Sequence, residues 1–176
     1  MLVCIKFTTE RKKTMIEEVE ESIFDNLPEN SVIIHQCNAL GWIGTGISKE
    51  IARRWPECFS TYHNHCLWFK DGHEDEIIGT FARYEVSPTL IICNAITARN
   101  IGKARQLTDY DAWEKLCRTV ERQTRYVNTH TGKNWTLHIP YKIGCGTSNG
   151  LWESMMEIFE RYFANSSVKL VIHHYC

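Results

Sequence analysis

The residues whose types and spacing could do chemistry lie in two glycine-containing segments, each following an apolar run. The first segment reads His35-Gln36-Cys37-Asn38, followed by Gly41, Gly44 and Gly46. Glycines allow positive-φ turns that aim successive backbone N–H groups into one concavity. Such a concavity at a helix N-terminus binds phosphate well. The segment therefore predicts either an anion site or a tight strand-to-helix turn.

The second segment has the same organisation and runs from Lys142 through Ile143-Gly144-Cys145-Gly146-Thr147-Ser148-Asn149 to Gly150. The spacing of the first segment matches neither the dinucleotide-binding Gly-x-Gly-x-x-Gly pattern nor a Walker loop. Ligands of α/β sheets bind outside the carboxyl ends of the strands. Two such loops in one small domain therefore predict a diphosphate held between them.

The elements that must position these loops alternate along the chain. Short apolar runs indicate strands at 31–35, 77–86, 90–96, 135–139 and 168–172, with 77–86 and 90–96 forming a hairpin. Apolar residues at helical spacing predict four helices, which start near residue 46, Pro56, Thr108 and Trp152. The segment 15–24 fits a strand or a short helix. This order predicts one three-layer α/β/α domain with a central mixed sheet, over residues 15–176.

Composition and charge narrow the function classes. The 176 residues suit one domain, and a net charge of −1 provides no global basic field for duplex nucleic acid or an anionic membrane. No apolar run approaches a membrane span, and we recognise no signal peptide. The eight cysteines favour free, mostly buried thiols in a reducing cytoplasm. Residues 1–14 are either an extra edge strand or an artefact of the chosen start codon.

The two glycine segments carry a resemblance to a known family. Ile34 to Ile47, followed by Arg54-Trp55-Pro56 and Tyr62, resembles the first ligand loop of the macrodomain family. Ile139-Pro140-x-x-Ile143-Gly144-Cys145-Gly146, followed by Trp152, resembles its second loop. The stretch from Thr97 to Asp111, with Gly102-Lys103, resembles the loop after the intervening strand. The resemblance covers Met15 to the end and is closest to the branch that dephosphorylates ADP-ribose-1''-phosphate.

The resemblance implies a role for each matched position. Asn38 would hold the distal ribose hydroxyls, and His35 would protonate the leaving hydroxyl or orient the attacking water. Backbone N–H groups of the first loop would bind the diphosphate, and the second loop would wrap the distal ribose and second phosphate. The residues so implied are Gly44, Thr45, Gly46 and Ile47 in the first loop, and Gly144, Cys145, Gly146, Thr147, Ser148 and Asn149 in the second. No metal or cofactor is implied.

Some positions depart from the family pattern. Glu21 and Ser22 stand where the family carries a Gly-Asp pair that reads adenine, so Glu21 or Asp25 could substitute. A sister branch removes ADP-ribose from proteins or nucleic acid with a lysine and a loop aspartate. Here Ala98 or Arg99 stands for the lysine, and Ser148 for the aspartate. No obvious carboxylate base remains, although Lys103, Asp109 and Asp111 could approach.

Other reactive residues favour structural interpretations. His63, His65, Cys58 and Cys66, with a C-terminal cluster of His173, His174 and Cys176, lack the Cys-x-x-Cys pairs typical of zinc sites. Cys37 and Cys145 fit small buried thiols better than nucleophiles. The arginines at 118, 122 and 125 fit a solvated helix face. Trp42 either stacks on the ligand or caps its loop.

The sequence thus predicts a phosphatase that converts ADP-ribose-1''-phosphate to ADP-ribose and phosphate. A non-catalytic ADP-ribose reader is the first alternative. An ADP-ribosyl hydrolase acting on modified protein or nucleic acid is the second, and Ser148 in place of aspartate argues against it. A small stand-alone domain suits a compact genome such as that of a phage or virus, which would place it in the host cytoplasm.

Overall fold

The computed structural model describes residues 14–70, 72, 73, 75–102 and 107–176. Almost all of the proposed N-terminal extension, residues 1–13, and Lys103 lie outside the described residues. The described part holds six strands and four helices. In chain order they are β1 (Ile16–Ser22), β2 (Ser31–Asn38), α1 (Ile47–Arg54), α2 (Pro56–Trp68), β3 (Phe81–Ser87), β4 (Leu90–Ala98), α3 (Tyr110–Thr131), β5 (Thr136–Pro140), α4 (Trp152–Phe163) and β6 (Leu170–Tyr175).

The six strands form one mixed sheet in the order β1-β6-β5-β2-β4-β3. Neighbouring strands are parallel, except that β3 and β4 form an antiparallel hairpin. The first described strand therefore pairs with the last, with Ile16 opposite Leu170. Because β2 and β5 are parallel neighbours, the loops that follow them leave the same edge of the sheet. The mixed sheet and the hairpin confirm the sequence prediction.

Helices cover both faces of the sheet. On one face, Ile51 of α1 and Cys58 of α2 pack with Ile33 and Ile92 of the sheet. On the other face, Trp113 of α3 and Phe159 of α4 contact each other edge-on, with ring centroids 6.0 Å apart, within a core that includes strands β2, β5 and β6. The three-layer α/β/α architecture is therefore confirmed.

The predicted strand from Ile77 to Val86 begins too early, because residues 77–80 form a turn and β3 starts at Phe81. Ile77 and Ile78 give the segment its strand-like apolar pattern. They are buried because the turn packs into a core cluster that includes Tyr62 and Ala112. Gly79 takes φ +77° there, and a Cβ at this position would lie 2.7 Å from Lys115 Cδ. The segment 15–24 resolves in favour of a strand, β1.

Two further expectations concern the free thiols and the absence of a membrane-spanning segment. All seven cysteines within the described residues are free, and five of them are buried. Among the described helices, none is long and apolar enough to cross a bilayer.

Candidate functional site

A cleft of about 570 Å³ lies at the carboxyl ends of the central strands. Residues 39–46, here called loop 1, lead from β2 to α1 and form one wall. Residues 141–151, here called loop 2, lead from β5 to α4 and form the opposite wall. The lining includes ten of the sequence-predicted residues, namely His35, Asn38, Gly44, Thr45, Gly46, Ile47, Gly144, Gly146, Thr147 and Ser148. The sheet therefore brings the two glycine segments together.

Loop 1 is folded around the side chain of Asn38. Its Nδ2 donates to the carbonyl of Trp42 at 2.8 Å, and its Oδ1 accepts from the N–H groups of Leu40 at 3.1 Å and Trp42 at 3.3 Å. Gly41 takes φ +73° at the bend. Both ends of the carboxamide are thus engaged with the loop's own backbone, so Asn38 shapes the cleft wall from within.

Helix α2 supports loop 1 from behind. The Tyr62 hydroxyl donates to the carbonyl of Asn38 at 2.6 Å, and His63 Nδ1 lies 2.9 Å from the carbonyl of Gly41, which accepts its hydrogen bond. A Cβ on Gly41 would lie 3.1 Å from the Cys66 side chain, so helix and loop are in close contact. His63 and Cys66 therefore have structural partners. The described residues contain no cluster of three or more His, Cys, Asp or Glu that could hold a metal ion.

The end of loop 1 leads directly into the N-terminus of α1. Gly46 takes φ +64° and its carbonyl accepts from the N–H groups of Lys49 and Glu50, which starts α1. The first N–H groups of a helix have no intrahelical partner and carry partial positive charge. Gly44, Thr45 and Gly46 are exposed along this stretch and Ile47 is half-buried. Phosphate oxygens suit this arrangement.

Loop 2 is held from the side by residues 107 and 108. The Thr108 hydroxyl donates to the Gly144 carbonyl at 2.5 Å, and the Leu107 N–H donates to the Ser148 carbonyl at 2.8 Å. Within the loop, the Gly150 N–H donates to the Gly144 carbonyl at 2.9 Å. Cys145 and Asn149 belong to loop 2 but are not among the residues lining the cleft, and burial raises the pKa of the Cys145 thiol. Their contact with a ligand stays a prediction.

His35 lies on the floor of the cleft and is only 2% exposed. Its Nε2 is 2.8 Å from Asn94 Oδ1, and its Nδ1 is 3.2 Å from Ser48 Oγ. Burial lowers the pKa of His35 to about 4, despite the opposing effect of the bond to Asn94. The imidazole is therefore neutral at pH 7. One ring nitrogen carries a proton and the other can accept one.

The charge pattern of the lining suits an anionic ligand. Within the described lining no side chain is an aspartate or glutamate, Lys142 is a cationic residue, and Cys176, the last residue of the sequence, also lines the cleft. Asp109 caps α3 by accepting from the Ala112 N–H at 2.9 Å. The described part of the cleft does not include Glu21 or Asp25, the proposed substitutes for an adenine-reading carboxylate, nor does it include Asp111. Lys103 lies outside the described residues.

Sequence patterns did not identify two residues of the cleft, Ser48 and Asn94. Asn94 is 2% exposed in the apolar run of β4, and burying a carboxamide is costly unless it is hydrogen-bonded. That polar residue in an apolar strand was the available signal. Ser48 lies two residues after Gly46, in the first turn of α1, and nothing in its sequence position marks it.

Comparisons with known sequences match only part of the chain. No family model matches it. A 55-residue segment, 31% of the chain, is 36% identical to the ADP-ribose 1''-phosphate phosphatase of Aspergillus oryzae. A 54-residue segment is 35% identical to the protein of the same name from Aspergillus fumigatus. These segments cover 27% and 26% of the two relatives, so the match spans about a quarter of their length.

Comparisons of structure cover nearly the whole chain. A Bacteroides thetaiotaomicron protein of unknown function superposes with a TM-score of 0.74 at 21% identity, over 90% of this chain and 96% of that one. The macrodomain of Thermus aquaticus DarG gives 0.68 at 16% identity, over 92% and 98% of the two chains. Thermosipho africanus DarTG, solved in complex with ADP-ribose, gives 0.60 at 14% identity over 82% of this chain and 38% of that one.

Proposed function

The chain has the macrodomain fold, and from that premise we propose that its cleft binds an ADP-ribose-type ligand and hydrolyses ADP-ribose-1''-phosphate to ADP-ribose and phosphate. The observation that carries this proposal is the convergence of loop 1 and loop 2 on one cleft whose described lining holds no aspartate or glutamate side chain. The names of the curated relatives support the choice of phosphomonoester.

The binding part of the proposal follows from the donors on the cleft walls. Loop 1 from Gly44 to Ile47, together with the start of α1, offers backbone N–H groups to the diphosphate. Loop 2 lies opposite and would enclose the distal ribose and the terminal phosphate, with Gly146, Thr147 and Ser148 in the lining. Fixed backbone dipoles of this kind stabilise phosphate without reorganising during the reaction.

The hydrolytic part of the proposal depends on His35. A neutral imidazole on the floor of the cleft can take a proton from an attacking group, whereas donation to the leaving hydroxyl first requires that proton. The geometry therefore favours the second of the two roles given by the family resemblance, in which His35 acts on the attacking group. Asn38 contributes by holding the shape of loop 1.

A non-catalytic reader is the second candidate, and the absence of aspartate and glutamate side chains from the described lining favours it. Such a lining retains anions but lacks the acidic base that hydrolases often use. Hydrolysis of ADP-ribosyl adducts is less well supported, because Ser148 lines the cleft at the position where the resemblance would require an aspartate. For any of these functions we propose a reducing, cytoplasmic compartment, which the free thiols support.

Phosphorus NMR of ADP-ribose-1''-phosphate mixed with the purified protein tests the proposal. We expect the monoester signal to be replaced by inorganic phosphate. The variant His35→Ala should lose turnover while still binding ADP-ribose in calorimetry, and His130→Ala, which alters an exposed residue of α3, should keep both. A stable monoester signal with shifted diphosphate resonances would identify a reader, and no spectral change would contradict the ligand assignment.

A further inference from the structure

Three side chains form a continuous hydrogen-bonded line from the core to the cleft. Asn94 Oδ1 is 2.8 Å from His35 Nε2, and His35 Nδ1 is 3.2 Å from Ser48 Oγ. Asn94 and His35 are each 2% exposed, whereas Ser48 is half-buried and lines the cleft. The order is that of an orienting group, a base and a hydroxyl, which is the arrangement of nucleophilic hydrolases.

The partners of Asn94 fix the proton on the imidazole. Asn94 Nδ2 donates to the Ala82 carbonyl at 3.0 Å, which turns Oδ1 towards His35 as an acceptor. His35 Nε2 must therefore carry the proton and donate it to Asn94. Nδ1 is left with its lone pair directed at the Ser48 hydroxyl, which is the tautomer that a general base requires.

The position of Ser48 gives its hydroxyl access to a ligand. Ser48 lies in the first turn of α1, directly after the residues that offer N–H groups to phosphate. Its Oγ is 3.8 Å from the point where a Cβ on Gly44 would sit, so the missing side chain of Gly44 leaves the hydroxyl uncovered from that direction. Of the three groups Ser48 is the least buried, so its hydroxyl is the one placed to meet a bound phosphate. That hydroxyl lies nearer to His35 Nδ1, at 3.2 Å, than to the Gln36 carbonyl, at 3.5 Å.

We propose that Ser48 is a nucleophile, activated by His35 and oriented through Asn94, that attacks the terminal phosphorus of the bound phosphomonoester. This inference rests on the proposed function for the identity of its substrate. The P–O bond to Ser48 forms as the P–O1'' bond breaks, and the bonding pair leaves with the 1''-oxygen of ADP-ribose. The serine proton passes to His35 Nδ1 and then to that oxygen.

The second half of the cycle returns the enzyme to its starting state. A water molecule attacks the phosphorus of the phosphoserine, and its proton passes to His35 Nδ1. The electron pair of the breaking P–O bond returns to Ser48 Oγ. His35 then returns the proton to Ser48, so the net change is the consumption of one water and the release of one phosphate. No oxidant, reductant or metal enters the balance.

The surroundings of His35 agree with a base that works in its neutral form. Burial lowers its pKa to about 4, which keeps Nδ1 unprotonated throughout the neutral range. The Cys37 thiol lies 3.7 Å from His35 Nδ1 and the Cys58 thiol lies 3.5 Å from Asn94 Oδ1, and burial raises the pKa of both thiols, so both are uncharged there. The resting Ser48–His35 pair is therefore uncharged at neutral pH.

Acid quenching during turnover followed by peptide mass spectrometry tests the covalent step. We expect one phosphoryl group on the peptide that contains Ser48 in the wild type. Ser48→Ala should lose the adduct and slow phosphate release at least a hundredfold while binding ADP-ribose normally, and Ser60→Ala, on the exposed face of α2, should change neither. Full turnover by Ser48→Ala would overturn the proposal.

The kinetics of two further variants test whether Asn94, His35 and Ser48 act together. The double variant Ser48→Ala/His35→Ala should be no slower than Ser48→Ala alone, because residues that act as a unit are not additive. Asn94→Ala should lower kcat and leave KM unchanged, since Asn94 is only 2% exposed at the base of the cleft and acts by positioning His35. Additive losses in the double variant would contradict a shared step.

A substrate-independent probe separates this inference from the proposed function. A small fluorophosphonate reacts with activated serines, and we expect it to label Ser48 in the wild type and to label it at least tenfold more slowly in His35→Ala. Labelling without any hydrolysis of ADP-ribose-1''-phosphate would support the nucleophile and refute the substrate. Hydrolysis without labelling or a phosphoserine would refute the nucleophile and keep the proposed function.

Discussion

At the scale of single residues, Asn38 maintains the shape of loop 1, and its contact with a ribose stays a prediction. Its carboxamide makes three hydrogen bonds to loop 1, and it is 7% exposed. Donor and acceptor are both required, which explains why an amide stands there: an aspartate would accept from the two N–H groups but face the Trp42 carbonyl without a proton to donate.

Asn38→Asp tests this role. We expect it to weaken ADP-ribose binding at least tenfold and to lower the free energy of unfolding by about 1–3 kcal/mol, because the Trp42 carbonyl would face a carboxylate oxygen in place of the N–H donor at 2.8 Å. Calorimetric titration and urea denaturation measure the two effects. A loss of affinity with unchanged stability would instead assign Asn38 to direct ligand contact.

At the scale of elements, each ligand loop is held by a neighbour distant in sequence. Helix α2 supports loop 1 through Tyr62 and His63, and the segment before α3 supports loop 2 through Leu107 and Thr108. The cleft walls therefore depend on packing that the loop sequences themselves do not encode.

Tyr62→Phe tests the support of loop 1. The variant keeps the ring but removes a 2.6 Å hydrogen bond to the Asn38 carbonyl, so we expect a loss of about 1 kcal/mol in stability. ADP-ribose affinity should fall several-fold as loop 1 loosens. Tyr126→Phe, at a position 62% exposed, is the matched control and should leave both unchanged. Equal behaviour of the two variants would refute the supporting role.

Gly150→Ala tests the packing of loop 2. A Cβ at this position would lie 2.6 Å from the Gly144 carbonyl oxygen and 3.0 Å from Thr108 Oγ1, so the loop must shift. We expect a destabilisation of about 1–3 kcal/mol, the usual cost of overpacking. At Gly146 a Cβ meets nothing within 4 Å, so the unfolding free energy of Gly146→Ala should stay within about 0.5 kcal/mol of the wild type. Urea denaturation of both variants measures their unfolding free energies, and equal values for the two would contradict this prediction.

At the scale of the whole molecule, buried neutral histidines tie folding to pH. Burial lowers the pKa of His35 to about 4 and that of His138 to about 3, from a usual value of 6.5. His138 Nδ1 is also 2.9 Å from His173 Nε2, and this second imidazole disfavours protonation. Between pH 6.5 and 4 the unfolded chain therefore binds more protons than the folded one.

The expected consequence is that stability is highest above pH 6.5 and falls as the pH drops below it. Each of the two histidines should account for about 1.5 kcal/mol between pH 6.5 and pH 5, because the slope rises from half to nearly all of about 1.4 kcal/mol per unit of pH over that range. Urea denaturation at the two pH values measures the difference. His138→Gln should reduce the slope and His130→Ala should not. Equal stability at pH 5 and pH 7 would contradict the account.

Sequence patterns predicted the layers, the hairpin and the meeting of the two glycine loops, because apolar periodicity and strand order determine them locally. They could not predict the turn at 77–80, where buried isoleucines imitate a strand, nor the line from Asn94 through His35 to Ser48. That line joins three elements, and its geometry arises only when β2, β4 and α1 pack together. The roles of the predicted site residues stay predictions.

The pairing of β1 with β6 sets an order of events during synthesis. The hydrogen-bonding partner of β1 is made after all the other described strands, so Ile16 must wait for Leu170. Until β6 has emerged from the ribosome and paired, β1 has no sheet to join, whereas β2, β3 and β4 can already associate. Non-local pairings of this kind form late and slowly. On this ground, the two cleft-bearing strands β2 and β5 can come together before β1 closes the edge of the sheet.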